Sequence, residues 1–364
     1  MNYKIQPEVL VAPLSFDVLE SIGIGNEVLI LSSRSVEISF KLDKLFNRLS
    51  LNRKLHVYNH IRPDAPFKDL DIIIQEQKNN HLDYIIAIGG GSVIDAAKTL
   101  SISFEGIDYK DIFYKRTAPP VNKIPVLAIP TTAGTGAELS FGAIVYDNYN
   151  KIKGGLRGEV IQPNAVLIDA RLHNSCPYKL KAEVGFDCLT HAIETHISKK
   201  SNSLVKIQSI SCIKNIFKFL VPACKNNDIY SMEKIALSSA LMGINLAYSS
   251  TCLPHRIQYS IGPLTQTSHA QGLIALYKGW LKYLLEIKLS QLDQLSSDLS
   301  MTSIEFVEKI QTLKKVLDID YSLTDLGVKL EQVADISKSV SGNVLADPSY
   351  LNTETLIKIL KYSM

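Results

Sequence analysis

Short runs of apolar and β-branched residues punctuate the first half of the chain: Val28-Leu29-Ile30-Leu31, Leu55-His56-Val57-Tyr58, Tyr84-Ile85-Ile86-Ala87-Ile88, Val126-Leu127-Ala128-Ile129 and Ala165-Val166-Leu167-Ile168. Stretches with helical spacing separate them, a rhythm that predicts βαβ units and a mainly parallel sheet. Past about Pro177 the β-rich runs stop. Residues 204–220, 232–247 and 272–285 instead carry apolar positions at helical spacing, which predicts an all-helical second half. The expected organisation is an α/β domain over residues 1–176 followed by a helical domain over 177–364. The polar stretch 290–302 reads as a loop or helix-to-helix connection, and Pro119-Pro120 as a surface connection.

Composition narrows the class. With 364 residues, 46% hydrophobic and 21% charged, the chain has enough apolar material for a sizeable core. Its net charge of +3, with both signs interspersed, excludes nucleic acid and an anionic membrane surface as expected partners and points to a small-molecule substrate. The cysteines Cys176, Cys188, Cys212, Cys224 and Cys252 are odd in number and form no CxxC pair, so reduced thiols and a cytoplasmic location are expected. The opening MNYKIQPEVLVAPLSF lacks the basic and apolar regions of a signal peptide, and no apolar run approaches the ~18 to 20 residues of a membrane helix.

Two segments carry the chemistry of phosphate binding. Ile86-Ala87-Ile88 runs into Gly89-Gly90-Gly91-Ser92-Val93-Ile94-Asp95-Ala96-Ala97-Lys98, a strand, a glycine turn and a helix start. Glycines let a backbone approach a ligand closely, and the free N–H groups and dipole of a new helix favour a pyrophosphate. A glycine turn alone is equally a tight strand-to-helix connection. The second segment, Ile129-Pro130-Thr131-Thr132-Ala133-Gly134-Thr135-Gly136-Ala137-Glu138, also leaves a strand and offers hydroxyl and amide donors. Two such loops at carboxyl ends of strands in one sheet mark the place of a dinucleotide.

A third segment, Gly185-Phe186-Asp187-Cys188-Leu189-Thr190-His191-Ala192-Ile193-Glu194, reads as a helix, and Asp187 and His191 at i and i+4 share its face. His255 and His269 follow, separated by Gly262-Pro263. That dipeptide reads as a turn, so that His255 would fall at the end of one helix and His269 at the start of the next. Three histidines and a carboxylate suit Fe²⁺ or Zn²⁺, and the lack of a thiolate argues against a purely structural zinc.

On these stretches, with 153–163, the strand end at Asp169 and Asn352-Thr353-Glu354-Thr355-Leu356, the chain resembles the iron-containing (group III) alcohol dehydrogenase family, relatives in fold of glycerol dehydrogenases and dehydroquinate synthases. The resemblance spans nearly the whole chain. It implies a Rossmann-like parallel-sheet domain, a helical domain, a metal in the cleft between them and a homodimer or larger homo-oligomer. Position by position, Asp187, His191, His255 and His269 match the family's metal ligands. Gly90, Gly91, Ser92, Thr131, Thr132 and Thr135, with Asp95 of the same glycine motif, match its cofactor contacts, and Lys153 matches a lysine near the nicotinamide ribose. The implied activity is metal-dependent, NAD(P)-linked interconversion of an alcohol and an aldehyde or ketone by hydride transfer.

Three departures from the family pattern bear on the reaction. Arg256 follows the ligand His255 where many members have a small residue, and Tyr259 stands where many have a second histidine. Tyr259 either donates its hydroxyl in that histidine's place or packs under the cofactor. Ser33 ends the strand that in NAD-using members commonly ends in aspartate, and Arg34 follows it. Loss of that charge leans to NADP(H), with a serine bonded to a plain ribose as the alternative. Finally, Lys151, Lys153, Arg157 and Arg256 fall in segments that the resemblance brings to the active site, which suits a carboxylate, phosphate or phosphonate. These residues make Tyr259, Arg256 and Lys153 the catalytic candidates. They favour an anionic or polyhydroxylated substrate such as a sugar acid, with oxidation of the 8-hydroxyl of 3-deoxy-octulosonate as one candidate. A dehydroquinate-synthase-type lyase and a phosphonoacetaldehyde-type reductase are the alternatives.

Overall fold

The structure, a computed structural model, describes residues 7–104, 106–265 and 267–364. The chain divides into two compact units between Cys176 and Pro177.

In the first unit the strands are β1 Glu8–Val11, β2 Glu27–Ser32, β3 Lys54–Tyr58, β4 Tyr84–Gly89, β5 Val126–Pro130, β6 Gly142–Asp147, β7 Ile152–Arg157 and β8 Ala165–Ile168. Six of them form a sheet in the order β1-β8-β5-β4-β2-β3, and every pairing in it is parallel. β4, β5 and β8 are buried along their whole length, which is why they read as unbroken apolar runs. With side chains alternating across the sheet, Val28, Ile30, Ile86, Ile88, Leu127, Ile129 and Leu167 share one face. They pack there against Leu19, Val36, Leu42, Phe46, Leu49 and Leu172 from helices and loops. The Gly91–Ser103 helix packs on the other face, against β4 and β5. Sheet order reverses between β2 and β4, so Ser33 and Gly89-Gly90-Gly91 follow strands flanking the switch point.

Two features are absent from the sequence reading. β1 is an edge strand beside β8 with most of its side chains exposed. β6 and β7 form an antiparallel hairpin outside the main sheet. Two of its glycines, both in β7, sit in tight contacts: a Cβ on Gly154 would lie 2.7 Å from the Phe113 ring, and one on Gly155 would lie 2.8 Å from Ile144.

The second unit is helical, with no strand among its described residues. Tyr178–Ile197 is buried almost all round from Lys181 onward. The Ser203–Lys225 helix packs close to it because position 185 is glycine; a Cβ there would lie 2.2 Å from Leu220. Two sequence expectations are corrected. Within 290–302, Ser290–Asp298 is a helix rather than a loop, because Leu292, Leu295 and Ser296 at i, i+3 and i+4 give it a buried stripe despite its polar composition. Gly262-Pro263 is not the turn between the two histidines. Both residues lie inside the Leu253–Thr265 helix, and His255 sits in its first turn rather than at its end. Pro263 has no N–H to give to Tyr259 O, the carbonyl four residues earlier, and the helix runs only two residues past it. His269 does open the next helix, His269–Glu286, capped by Ser268 with Gln271 in a capping box.

All five cysteines are free thiols. Among the described residues no helix is long and apolar enough to cross a membrane.

Candidate metal centre and nucleotide loops

In the helical unit, Asp187 and His191 project from one face of Tyr178–Ile197, and His255 comes from the first turn of Leu253–Thr265. All three are buried, and one ligand atom of each lies within 4.8 Å of the others. His255 Nε2 stands 3.0 Å from His191 Nε2 and 3.7 Å from Asp187 Oδ1. His255 donates its Nδ1–H to Glu194 Oε1 at 2.8 Å, so its Nε2 carries a lone pair. His191 Nδ1 is buried with no hydrogen-bond partner among the described residues, 3.5 Å from Asp187 Oδ1. Imidazole nitrogens and a carboxylate oxygen converging out of solvent form an electron-rich pocket that suits a cation. This nitrogen and oxygen donor set fits a divalent ion of the Fe²⁺ or Zn²⁺ kind.

His269 is adjacent to this trio without being part of it. Its ring centre lies 5.3 Å from that of His255, and it donates Nδ1–H to Gln258 Oε1 at 2.6 Å. Tyr259, one turn beyond His255, stacks on His269 with ring centres 5.9 Å apart at 24°. The Arg256 guanidinium lies 5.1 Å over the Tyr259 ring and donates to the Thr251 hydroxyl. Its Nε is buried with no hydrogen-bond partner among the described residues. Sequence reasoning passed over Glu194 and Gln258, which engage His255 and His269. Glu194 was findable, since it follows Asp187 by seven residues and His191 by three and so shares their helix face. Burial pushes the Glu194 carboxyl up to about 7, against the pull of the Cys252 N–H, His191 and Arg256.

In the α/β unit the two segments read from the sequence as phosphate-binding touch. Gly90 caps the Gly91–Ser103 helix, where a Cβ would lie 3.2 Å from Thr132 Oγ1, and one on Gly91 would lie 3.1 Å from Thr135 Oγ1. Gly89 is glycine for another reason: a Cβ there would strike Val93 at 2.6 Å. Asp95 turns to the hairpin, accepting from Ile144 N–H at 3.0 Å with Lys98 Nζ 3.6 Å away. Burial raises it to about 6 while Lys98 pulls it down. Lys98, fully buried, donates to Ala137 O at 2.8 Å, to Ser140 Oγ at 3.1 Å and to Gly142 O, and so holds the segment after Thr135 in shape. Ser92 Oγ accepts from Asp64 N–H at 2.9 Å, and Lys153 Nζ pairs with Asp64 Oδ1 at 2.7 Å. Thr131 is buried, and its N–H donates to Gly89 O at 3.0 Å.

Ser33 begins the Arg34–Phe40 helix, with its N–H on Ile88 O at 3.0 Å. Arg34 is exposed beside it, and Glu37 in the same turn accepts from Ser32 Oγ at 3.0 Å. The expected gathering of basic side chains is not found within this unit. Lys153 and Arg157 lie four residues apart along β7, roughly 13 Å, Lys151 is in the preceding turn, and the Lys153 charge is met by Asp64.

Residues 16–170 match the family described as iron-containing alcohol dehydrogenase, and residues 181–364 match its C-terminal part. The chain belongs to the iron-containing alcohol dehydrogenase family. It is 30% identical over 250 residues to the aldehyde-alcohol dehydrogenase of Streptococcus pneumoniae, a match covering 65% of this chain and 28% of that much longer protein. It is 24% identical over 382 aligned positions to the NADPH-dependent butanol dehydrogenase of Clostridium saccharobutylicum, covering 99% of this chain and 97% of that one. Sulfoacetaldehyde reductase from Bifidobacterium kashiwanohense, solved in complex with NAD⁺, has the same fold, with a TM-score of 0.90 at 20% identity over 99% of this chain and 98% of that one.

Proposed function

We propose that this chain is an NAD(P)-linked, metal-dependent oxidoreductase that interconverts an alcohol and an aldehyde or ketone by hydride transfer, acting on an anionic or polyhydroxylated substrate such as a sugar acid. The observation that carries the reading is the buried convergence of Asp187, His191 and His255 in a chain of this family. These three, with His269 beside them, would hold Fe²⁺ or Zn²⁺. A bound ion supplies Lewis acidity toward the substrate oxygen.

The chain's own groups do the rest. Gly90 and Gly91 offer backbone N–H groups and a helix N-terminus to the pyrophosphate, with Thr132 and Thr135 hydroxyls alongside. Ser33 with Arg34 supports NADP(H) over NAD(H). Tyr259, one turn from His255, supplies a proton to the substrate oxygen in reduction and receives it in oxidation. Arg256, braced by Thr251 and by the Tyr259 face, offers uncommitted donors to a carboxylate or similar anion. Lys153 orders Asp64, which in turn engages Ser92.

The test is a cofactor-reduction screen of metal-loaded protein against aliphatic alcohols, hydroxy acids, sugar acids and phosphonates, with NAD⁺ and NADP⁺ in parallel. Net NAD(P)H accumulation with an acidic substrate, faster with NADP⁺, is expected. Phosphate release without net cofactor reduction would make the chain a lyase of the dehydroquinate-synthase type, and preference for simple aliphatic alcohols would remove the anionic substrate.

A further inference from the structure

Glu194 is fully buried, and both of its oxygens are engaged. Oε1 accepts from His255 Nδ1–H at 2.8 Å and from the Tyr277 hydroxyl at 3.2 Å, while Oε2 accepts from the Cys252 backbone N–H at 2.6 Å. Cys252 immediately precedes the Leu253–Thr265 helix. The next N–H, that of Leu253, goes to Asp347 Oδ2 at 3.0 Å, a second buried carboxylate that also accepts from Trp280 Nε1 at 3.0 Å. The start of the helix that carries His255 is therefore held by carboxylates from elsewhere in the fold, where its free N–H groups and dipole favour negative charge.

From this geometry we infer that Glu194 is the positioning residue of the metal centre: one carboxylate fixes both the tautomer of His255 and the start of the helix that carries it. The inference rests on the reading of the Asp187, His191 and His255 cluster as a metal centre and adds a residue that touches no ion. With its proton held on Nδ1, His255 can present only the Nε2 lone pair toward His191 and Asp187. An imidazole whose N–H is bound by a carboxylate is oriented and made more basic, and both effects strengthen a metal bond. The same carboxylate ties Cys252 N–H, three residues before His255, so rotation of the ring and displacement of its backbone are resisted by one group. The single Tyr277 hydroxyl proton is shared between Thr190 O at 3.0 Å and Glu194 Oε1 at 3.2 Å, and so gives the carboxylate a secondary support on the side of His255.

A carboxylate that only filled space would change folding stability when replaced and leave the ion's surroundings alone, and Co²⁺ separates the two roles. Metal-free protein is titrated with Co²⁺, following its visible d–d absorption, and circular dichroism of the metal-free variants checks the fold. Glu194→Gln preserves size but turns an amide N–H₂ toward either His255 Nδ1–H or Cys252 N–H. It is expected to weaken Co²⁺ binding by about 10- to 100-fold and to change the d–d band intensities, with a parental dichroism spectrum. Tyr277→Phe, which touches neither His255 nor the ion, is expected to shift affinity in the same direction by less, and it decides the question if Glu194→Gln does not fold. His255→Ala is the control. If it binds Co²⁺ as the parent does, the metal-centre reading fails. If His255→Ala loses the Co²⁺ spectrum while every folded variant at 194 and 277 keeps parental affinity and bands, the positioning role of Glu194 is overturned.

Discussion

Arg256 and Tyr259 are the two side chains at the candidate metal centre that depart from the family pattern, and each makes a separable prediction. The Arg256 guanidinium is spread over the Tyr259 ring and donates to Thr251, a geometry that fixes a planar cation through one side-chain hydrogen bond and a ring face. A charge-assisted hydrogen bond to a substrate anion contributes about 1.5–3 kcal/mol, so Arg256→Ala should lower kcat/KM for an anionic substrate by roughly 10- to 100-fold. It should leave metal content unchanged and barely alter turnover of a neutral alcohol of similar size. Equal losses on both substrates would mean that the arginine supports the site without reading charge. Tyr259→Phe decides between the hydroxyl's two roles. If it relays a proton, kcat should fall by about 10²-fold or more, with the pH–rate profile losing one limb. If the ring only packs against His269, phenylalanine will serve nearly as well. The pairing of Asp187 with His191 was legible in the sequence because a one-turn spacing is a local property. His255 was named with them through the family resemblance rather than through any local period, because its approach depends on where a helix more than sixty residues later starts.

Elements show the same division between what local pattern encodes and what it does not. Of the five legible strands, β2, β4, β5 and β8 read as continuous apolar runs because they are buried on both faces, whereas β3, an edge strand with no buried residue, was legible from its β-branched and aromatic composition. β1 was missed although Val9-Leu10-Val11 is apolar, because the run is only three residues long, and β6–β7 because Gly154 and Gly155, packed against Phe113 and Ile144, read as loop. The Ser290–Asp298 helix hid behind a polar sequence with only a narrow apolar stripe. Legibility also failed for the support beneath the second candidate phosphate loop, where buried Lys98 binds Ala137 O, Ser140 Oγ and Gly142 O beside buried Asp95 and Glu138. Burial pushes Glu138 up to about 7, more than Lys98 pulls it down. A carboxyl raised in this way holds its proton in the folded state while the unfolded chain has already lost its own. Its contribution to stability is therefore full below the ordinary glutamate value and is lost as pH rises through about 7. Glu138→Gln should match the parent's thermal stability near pH 4 and gain on it progressively toward pH 8, by on the order of 2 kcal/mol. Parallel stability curves for the two proteins across that range would show that Glu138 binds no more protons folded than unfolded and that Lys98 offsets the burial.

For the whole molecule, the candidate metal ligands Asp187, His191, His255 and His269 all belong to the helical unit, and the candidate phosphate contacts at 89–95 and 131–135 all belong to the α/β unit. The proposed reaction needs one ligand for each, so each should leave its own signature on local stability. A ligand at about 100 times its dissociation constant stabilises the state that binds it by about 2.7 kcal/mol, which slows amide exchange through openings that destroy the site by roughly 100-fold. Zn²⁺ should therefore protect amides of Tyr178–Ile197 and the first turns of Leu253–Thr265 and His269–Glu286, and a chelator should reverse this. NADP⁺ should protect the start of Gly91–Ser103 and the 131–138 segment. The Lys98 clamp sharpens the expectation, because a loop already held by a buried ammonium has less disorder to lose on binding. Protection there should extend back to Ala137 and Ser140 rather than stop at the threonines. Metal-dependent protection confined to the α/β unit would remove the ion from the histidine cluster, and NADP⁺ protection confined to the helical unit would remove the dinucleotide from the glycine turn.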